Sequence, residues 1–245
     1  MEVRTIQEYE KLERHYWWFV GRRRIIEATL QKYFSGRSLD ILDWGCGPGG
    51  NFKMLKKYGE ILGVDESDEA LSACHKKGIT NVVKAASLSE FSTSQQFDLI
   101  ANFDVLEHIF EDEQFLRDMG SLLRPGGEIL VTVPAYQFLW TGFDEVLGHK
   151  RRYTRKEIRE KFHRAGYEVI FASYFIFFLS PAFIAYRMLQ KLKGDKTTSL
   201  SGSVVMLPEP INWLFTQILI LESHIISYFS FPFGTSIIVL AKKII

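Results

Sequence analysis

The sequence predicts an α/β fold, a sheet of mainly parallel strands wound with helices and carrying a ligand site along one edge. Three observations predict it. Short apolar runs alternate with helical patterns through the middle of the chain, and strands separated by single helices make βαβ units. The first run enters a turn containing Gly45, Gly47, Gly49 and Gly50 before the next helix begins. The first two runs end in acidic residues, Asp43 and Asp65. Right-handed crossovers bring all such strand ends to one edge, where open α/β sheets bind ligands.

Composition sets the bounds. A chain of 245 residues is long enough for one large domain with additions. With 47% hydrophobic and 24% charged residues it is not a disordered chain. Cys46 and Cys74 are the only cysteines, which excludes a disulfide framework and a cysteine-based zinc site. Two thiols suit a reducing compartment. A net charge of +1 gives no general attraction to nucleic acid, and none is expected as a partner. Aromatic residues reach 14%, enough to make an apolar ligand or a membrane surface worth testing.

The elements follow in order. Residues 6–34 read as two helices joined near Gly21, making residues 1–36 an N-terminal helical cap on a domain spanning 37–245. Strands are predicted at 38–44, 60–65, 80–85, 97–103 and 127–134, with helices at 50–58, 68–77 and 108–123 between them. Two later strands, 167–175 and 235–243, enclose a helical, aromatic insertion at about 180–232. A polar break at 194–203 divides that insertion. The charged N-terminus has no apolar core and does not read as a secretory signal. Val169–Tyr186 and Ser223–Ala241 lack charges, but their Ser, Pro and Gly content reads as strand joined to amphipathic helix rather than as a membrane span.

Glycine lets the turn backbone take positive φ and lets a ligand approach without a Cβ in the way. The string Gly45, Gly47, Gly50 also fits a dinucleotide fingerprint. Asp43 argues against that reading, since a carboxylate at the strand end repels a pyrophosphate. It suits a cation, such as the ammonium of S-adenosylmethionine. Asp65 is placed to accept from a ribose diol, a feature common to both ligands. After the third strand no side-chain handle for adenine stands out; Ala86 and Ser87 are the candidates, through backbone amides.

Taken together and in order, "LDWGCGPGG", "GVDES", "FDLIANFDVLEHI" and "LLRPGGEILVTVP" resemble the class I S-adenosylmethionine-dependent methyltransferases, nearest in pattern to the type 11/12 and quinone-biosynthesis-like groups. The resemblance covers residues 38–134. It implies a Rossmann-like seven-stranded sheet with helices on both faces and the last strand antiparallel, residues 167–175 and 235–243 supplying strands six and seven. It implies S-adenosylmethionine as cofactor and S-adenosylhomocysteine as product. Asp43, Gly45, Cys46 and Gly47 would hold the amino-acid end, Asp65 the ribose, and Asn102, Phe103 and Asp104 would lie near the reactive methyl. Ala85-Ala86-Ser87 departs from the polar pair that many relatives place at the adenine. The flanks, "HYWWFVGRRR" and "PAYQFLWTGFDEVLGHKRRYTRKEI", resemble a narrower bacterial subgroup whose substrate is unknown. They support the reaction class and leave the acceptor open.

Methyl transfer asks the protein to exclude water, align donor and acceptor, and remove a proton where the acceptor is a hydroxyl. His149, in a polar loop after the fifth strand, is the first candidate for base or acceptor-orienting group, with Asp104 second; a surface histidine bonded to a carbonyl is the plain alternative for His149. His108 reads as structural or capping. Arg151, Arg152 and Tyr153 are the candidate acceptor contacts. Eight basic against two acidic side chains lie between positions 150 and 164, and Arg22–Arg24 add a triplet. These would meet a phosphate or carboxylate on the acceptor, or anionic lipid head groups. No catalytic metal is expected, because candidate ligands do not cluster in the sequence. The aromatic cluster at 15–19 reads either as a packing staple or as a lid over the site. The insertion is expected to expose an apolar surface flanked by Arg187, Lys191 and Lys193.

The function expected is therefore methyl transfer to a small-molecule or lipid-linked acceptor, in the cytoplasm or peripherally at the inner face of the membrane. An NAD(P)-dependent oxidoreductase and a cofactor-binding module without catalysis are the alternatives. The oligomeric state is left open.

Overall fold

The computed structural model describes residues 12–91, 93–192 and 207–244. Seven strands form one sheet: β1 Leu39–Trp44, β2 Gly59–Asp65, β3 Val82–Lys84, β4 Phe97–Phe103, β5 Leu123–Pro134, β6 Tyr167–Phe175 and β7 Ser236–Lys243. Their order is β3-β2-β1-β4-β5-β7-β6. β7 lies between β5 and β6 and runs antiparallel to both, while β1 pairs in parallel with β2 and β4. Ile41 and Leu42 of β1, Ile100 of β4, Leu130 of β5 and Val239 of β7 are fully buried. Such unbroken apolar runs belong to strands covered on both faces. The chain winds outward in opposite directions from β1 and β4, so their carboxyl ends flank the crevice where strand order reverses.

The helices are α1 Trp17–Phe34, α2 Phe52–Leu55, α3 Asp68–Lys76, α4 Asp112–Leu122, α5 Gly142–Leu147, α6 Arg155–Arg164, α7 Ser180–Leu192 and α8 Glu209–Ile226. α3 starts at Ser67, whose side chain accepts from the Ala70 amide. α6 starts in a capping box in which Thr154 and Glu157 bond each other's backbone amides. Its apolar stripe, Ile158 and Phe162, is fully buried.

The structure corrects three boundaries. α1 runs unbroken through Gly21. The glycine is there for contact: a Cβ at that position would lie 2.1 Å from Leu219 Cδ1 on α8. α2 is a single turn instead of a full helix. β5 begins at Leu123, ahead of the expected 127, because Arg124 ties the early strand to Asp40 at 2.6 Å and Asp98 at 2.7 Å. The polar break at 194–203 and Lys193 lie outside the described residues.

The cap and the insertion pack as one layer. Trp17 is buried, donates its backbone N–H to Asn212 Oδ1 at 2.9 Å, and stacks on Phe183 at 5.2 Å with Phe215 edge-on at 5.5 Å. The 15–19 cluster is thus a staple between α1, α7 and α8. Gly21→Val should lower stability by about 1–3 kcal/mol, the usual cost of overpacking a tight contact. The urea midpoint measures this, and an unchanged value would show that the α1–α8 contact is loose.

The insertion's aromatics divide. Phe175 and Phe231 are buried, and Phe177, Phe183 and Phe215 pack partly buried against the core. Trp213 and Phe229 remain 59% and 70% exposed, alongside Phe178, Tyr186 and Phe233. Arg187 was expected on the rim of this surface, but its guanidinium turns inward to Thr141 Oγ1 at 2.6 Å. No described helix is long and apolar enough to cross a membrane.

Candidate active site

The glycine turn follows β1 directly. Gly45, Gly47 and Gly49 take φ of +80°, +53° and +78°. A Cβ on Gly45 would strike Val105 at 2.3 Å, whereas one on Gly47 would meet nothing within 4 Å. Gly47 therefore borders open space. Asp65, ending β2, accepts from the Gly47 amide at 2.8 Å and the Ser67 amide at 2.9 Å, and so fixes the turn against the start of α3. From below, the Cys46 and Cys74 thiols both approach the Gly47 carbonyl, at 3.6 and 3.3 Å.

Asp43 is 1% exposed, and its Oδ2 has no hydrogen-bond partner among the described residues. Burial pushes its carboxyl up to about 7, against the pull of Arg22. Arg22, from α1, is itself buried. It ion-pairs with Asp104 and lies 4.9 Å from the Trp18 ring. Asp104 follows β4 with φ +57°, a left-handed conformation uncommon outside glycine. The Arg22 guanidinium thus serves Asp104 directly and acts on Asp43, while Asp65 is held by backbone amides. A buried carboxylate without a partner, beside an open glycine turn, fits a ligand that brings its own cation.

The other expected cofactor contacts differ in detail. The Asn102 side chain donates to the Trp44 carbonyl at 3.2 Å inside the sheet, and Phe103 is buried in the core. Both tie β4 to its surroundings and hold Asp104 in place. The Ala86 amide, an expected adenine donor, is engaged by Glu90 Oε2 at 2.9 Å. The Ser87 hydroxyl pairs with Ser89 at 2.8 Å.

The residues expected to meet the acceptor lie in the segment between β5 and α6. Asp144, fully buried, is its hub. Its carboxylate receives His149 Nδ1 at 2.8 Å, Arg152 Nε at 2.8 Å, Arg152 Nη2 at 3.1 Å and the Thr141 amide at 2.9 Å. Burial works against its charge, yet His149 and Arg152 hold the carboxyl below the usual range. His149 Nε2 faces Glu107 Oε1 at 3.9 Å, and the His108 ring stands edge-on to the His149 ring, 4.8 Å between centres. Burial, then the neighbouring His149, push His108 down to about 4.

The expected acceptor contacts turn inward instead. Arg152 is held by Asp144 and the Ala135 carbonyl, at 3.2 Å. Tyr153, 1% exposed, donates to Asp112 Oδ2 at 2.9 Å. Arg151 binds Asp112 at 3.2 Å and the Phe110 carbonyl at 2.7 Å. Lys161 pairs with Asp112 at 2.8 Å and Arg164 with Glu113 at 2.8 Å. Three cations of the basic stretch are thus matched by the start of α4 and Arg152 by Asp144, which weakens the stretch's reading as an anion or lipid-head-group surface. Sequence reasoning missed Asp144 and Asp112. The spacing of Thr141 and Asp144 carried a capping-box signal for the first; nothing local marked the second.

Comparison with known proteins agrees with this geometry. Residues 18–171 match the family described as a methyltransferase domain. A Mycolicibacterium smegmatis protein, named a probable S-adenosylmethionine-dependent methyltransferase, is 27% identical over 64% of this chain and 61% of its own length. The human mitochondrial ubiquinone biosynthesis O-methyltransferase is 33% identical over 42% of this chain and 32% of its own. The chain therefore spans less than two thirds of either relative. Among solved structures, the Haloferax volcanii complex of the Trm112 methyltransferase activator superimposes with a TM-score of 0.61 at 14% identity, over 98% of this chain and 94% of that one. Phosphoethanolamine N-methyltransferase 2 of Haemonchus contortus, solved with S-adenosylmethionine, gives a TM-score of 0.55 at 18% identity, over 90% of this chain and 52% of that one. The family match covers well over half of the chain, and the chain belongs to the methyltransferase-domain family of S-adenosylmethionine-dependent enzymes.

Proposed function

We propose that the protein transfers a methyl group from S-adenosylmethionine to a small-molecule or lipid-linked acceptor. The observation that carries this reading is the buried Oδ2 of Asp43, without a hydrogen-bond partner among the described residues, beside the open turn at Gly47. When bound, the cofactor supplies a methyl group already activated on a sulfonium. Asp43 would take its ammonium, Asp65 its ribose, and the backbone at Gly45–Gly47 would approach its amino-acid end. α1, whose Arg22 reaches Asp104 at the crevice, would help cover the cofactor and exclude water. On the acceptor side, Asp144 fixes the His149 ring with Nδ1 as donor, leaving Nε2 to orient the acceptor or take its proton.

The exposed aromatics of α7, α8 and the turn after them support peripheral contact with the inner face of a membrane, and with it a cytoplasmic location. A lipid-linked acceptor would then reach the crevice past α7, whose Arg187 bonds Thr141 at the start of α5. Calorimetry tests the cofactor half: S-adenosylhomocysteine should bind and NADH should not. Mass spectrometry of a lysate incubated with isotopically labelled cofactor identifies the acceptor by its labelled product. Sedimentation with anionic liposomes tests the membrane contact, and a chain that stays wholly in the supernatant removes it.

His149→Ala should lower turnover at least tenfold while changing S-adenosylhomocysteine affinity by no more than about twofold, because its ring stands on the acceptor side of the crevice. The reverse pattern, weak cofactor binding with normal acceptor kinetics, would move His149 out of the acceptor site.

A further inference from the structure

We propose that Glu107, His108 and His149 form a binding site for a divalent transition-metal cation, zinc being the closest match, at the acceptor end of the crevice. The inference rests on the acceptor lying beside His149, as proposed above. In sequence, Glu107 and His108 are adjacent and His149 lies in a separate loop, so spacing gives no metal signature. The fold brings them together: one ligand atom from each lies within 4.8 Å of the others. Ligands on a tetrahedral zinc stand about 3.4 Å apart. Closing the 3.9 Å between His149 Nε2 and Glu107 Oε1 to that value needs a shift of about half an ångström.

Three features mark a built site. His149 gives Nδ1 to Asp144, at 2.8 Å, which leaves the Nε2 lone pair pointing at the cluster. The His108 ring stands edge-on to the His149 ring, 4.8 Å between centres, and brings a second imidazole to the same point. Metal-binding histidines are oriented as His149 is, the far nitrogen donating to a carboxylate. Third, Glu107 Oε2 has no hydrogen-bond partner among the described residues although Glu107 is only 1% exposed. A cation supplies the missing partner. The neighbouring carboxylates are committed elsewhere, Asp104 to Arg22 and Asp112 to Arg151 and Lys161.

Two imidazoles and one carboxylate suit zinc, with manganese or iron(II) next, and leave a fourth position for substrate. The acceptor class that follows carries a hydroxyl, whose oxygen would take that position and whose proton the cation would make easier to lose. The hydroxyl would give its proton to solvent water and its oxygen would take the methyl from the sulfonium, which departs as S-adenosylhomocysteine, while His149 would act on the acceptor only through the cation.

The test uses the purified full chain, stripped with chelator and titrated with zinc alone, without cofactor or acceptor. Calorimetry should find about one equivalent bound. Cobalt(II) should give the visible absorption of a tetrahedral site. His149→Ala and Glu107→Gln should each weaken zinc binding by at least tenfold, while His163→Ala, an exposed histidine on α6, should leave it unchanged. His108→Gln serves if Glu107→Gln does not fold. Zinc binding that is absent, or equal in wild type and His149→Ala, overturns the inference. So does full methyl transfer by the chelator-stripped protein, and that result leaves the methyltransferase reading standing. Zinc binding by a chain that does not bind S-adenosylhomocysteine would do the opposite.

Discussion

Asp43→Asn should weaken S-adenosylhomocysteine binding by roughly 1.5–3 kcal/mol, the worth of a charge-assisted hydrogen bond, or one to two orders of magnitude in Kd. The wild-type affinity should also depend on pH. With the Asp43 carboxyl pushed up to about 7 by burial, the free protein holds it protonated in acid. Binding of the cofactor's ammonium should therefore fall by up to about tenfold per pH unit below 7 and level off above it. In Asp43→Asn that slope should vanish. Stability moves the other way. The folded value lies above the ordinary 3.8, so the folded state holds the extra proton between about pH 4 and 7. Wild-type stability declines as pH rises through that window and stays lowered above it. At pH 8 the cofactor-free Asp43→Asn chain should melt higher than wild type, and the difference should disappear below pH 4. Calorimetry and thermal melts across that range check both trends; a pH-independent affinity with an unchanged variant would remove Asp43 from the cofactor site.

The second large effect is expected at Asp144. Asp144→Ala leaves the Arg152 guanidinium, 11% exposed, with the Ala135 carbonyl as its remaining acceptor among the described residues, and releases His149 and Thr141 as well. Removing one partner of a buried ion pair costs about 3–5 kcal/mol, much of it the burden of the charge left behind. The double variant Asp144→Ala/Arg152→Met should regain part of that loss, since an apolar side chain leaves no uncompensated charge. Urea unfolding of the wild type and the two variants settles it. A single-variant loss below about 1 kcal/mol would mean that the loop relaxes and lets water reach Arg152.

The glycine-turn side of the crevice was legible because its signals are local. A strand, a glycine turn and an acidic residue at each strand end are readable within short windows, and the fold sets Asp43, the turn and Asp65 at one edge of the sheet. The acceptor half was not. Arg151, Arg152 and Tyr153 read as a basic patch because a sequence shows charge and hides its partners. Asp112, which engages Arg151, Tyr153 and Lys161, arrives from the start of α4. Gly21 misled for the same reason: glycine inside a helical pattern suggests a joint, and only Leu219, far along the chain, shows that it permits a close approach. The Glu107, His108 and His149 grouping likewise exists only once β4 and the segment after β5 lie side by side.

The place of β7 has a consequence for synthesis. This strand is the last of the seven in sequence yet is inserted between β5 and β6. A ribosome releases β5 and β6 before the strand that joins them, so β6 and α6 have no sheet to rest on until β7 emerges. Until then the Leu130 edge of β5 stays open as a template for strands from other chains. A nascent chain halted before Ser236 should accordingly be an aggregating, chaperone-bound species with its first five strands already formed, and completion of the final segment should be the event that converts it to a protected domain.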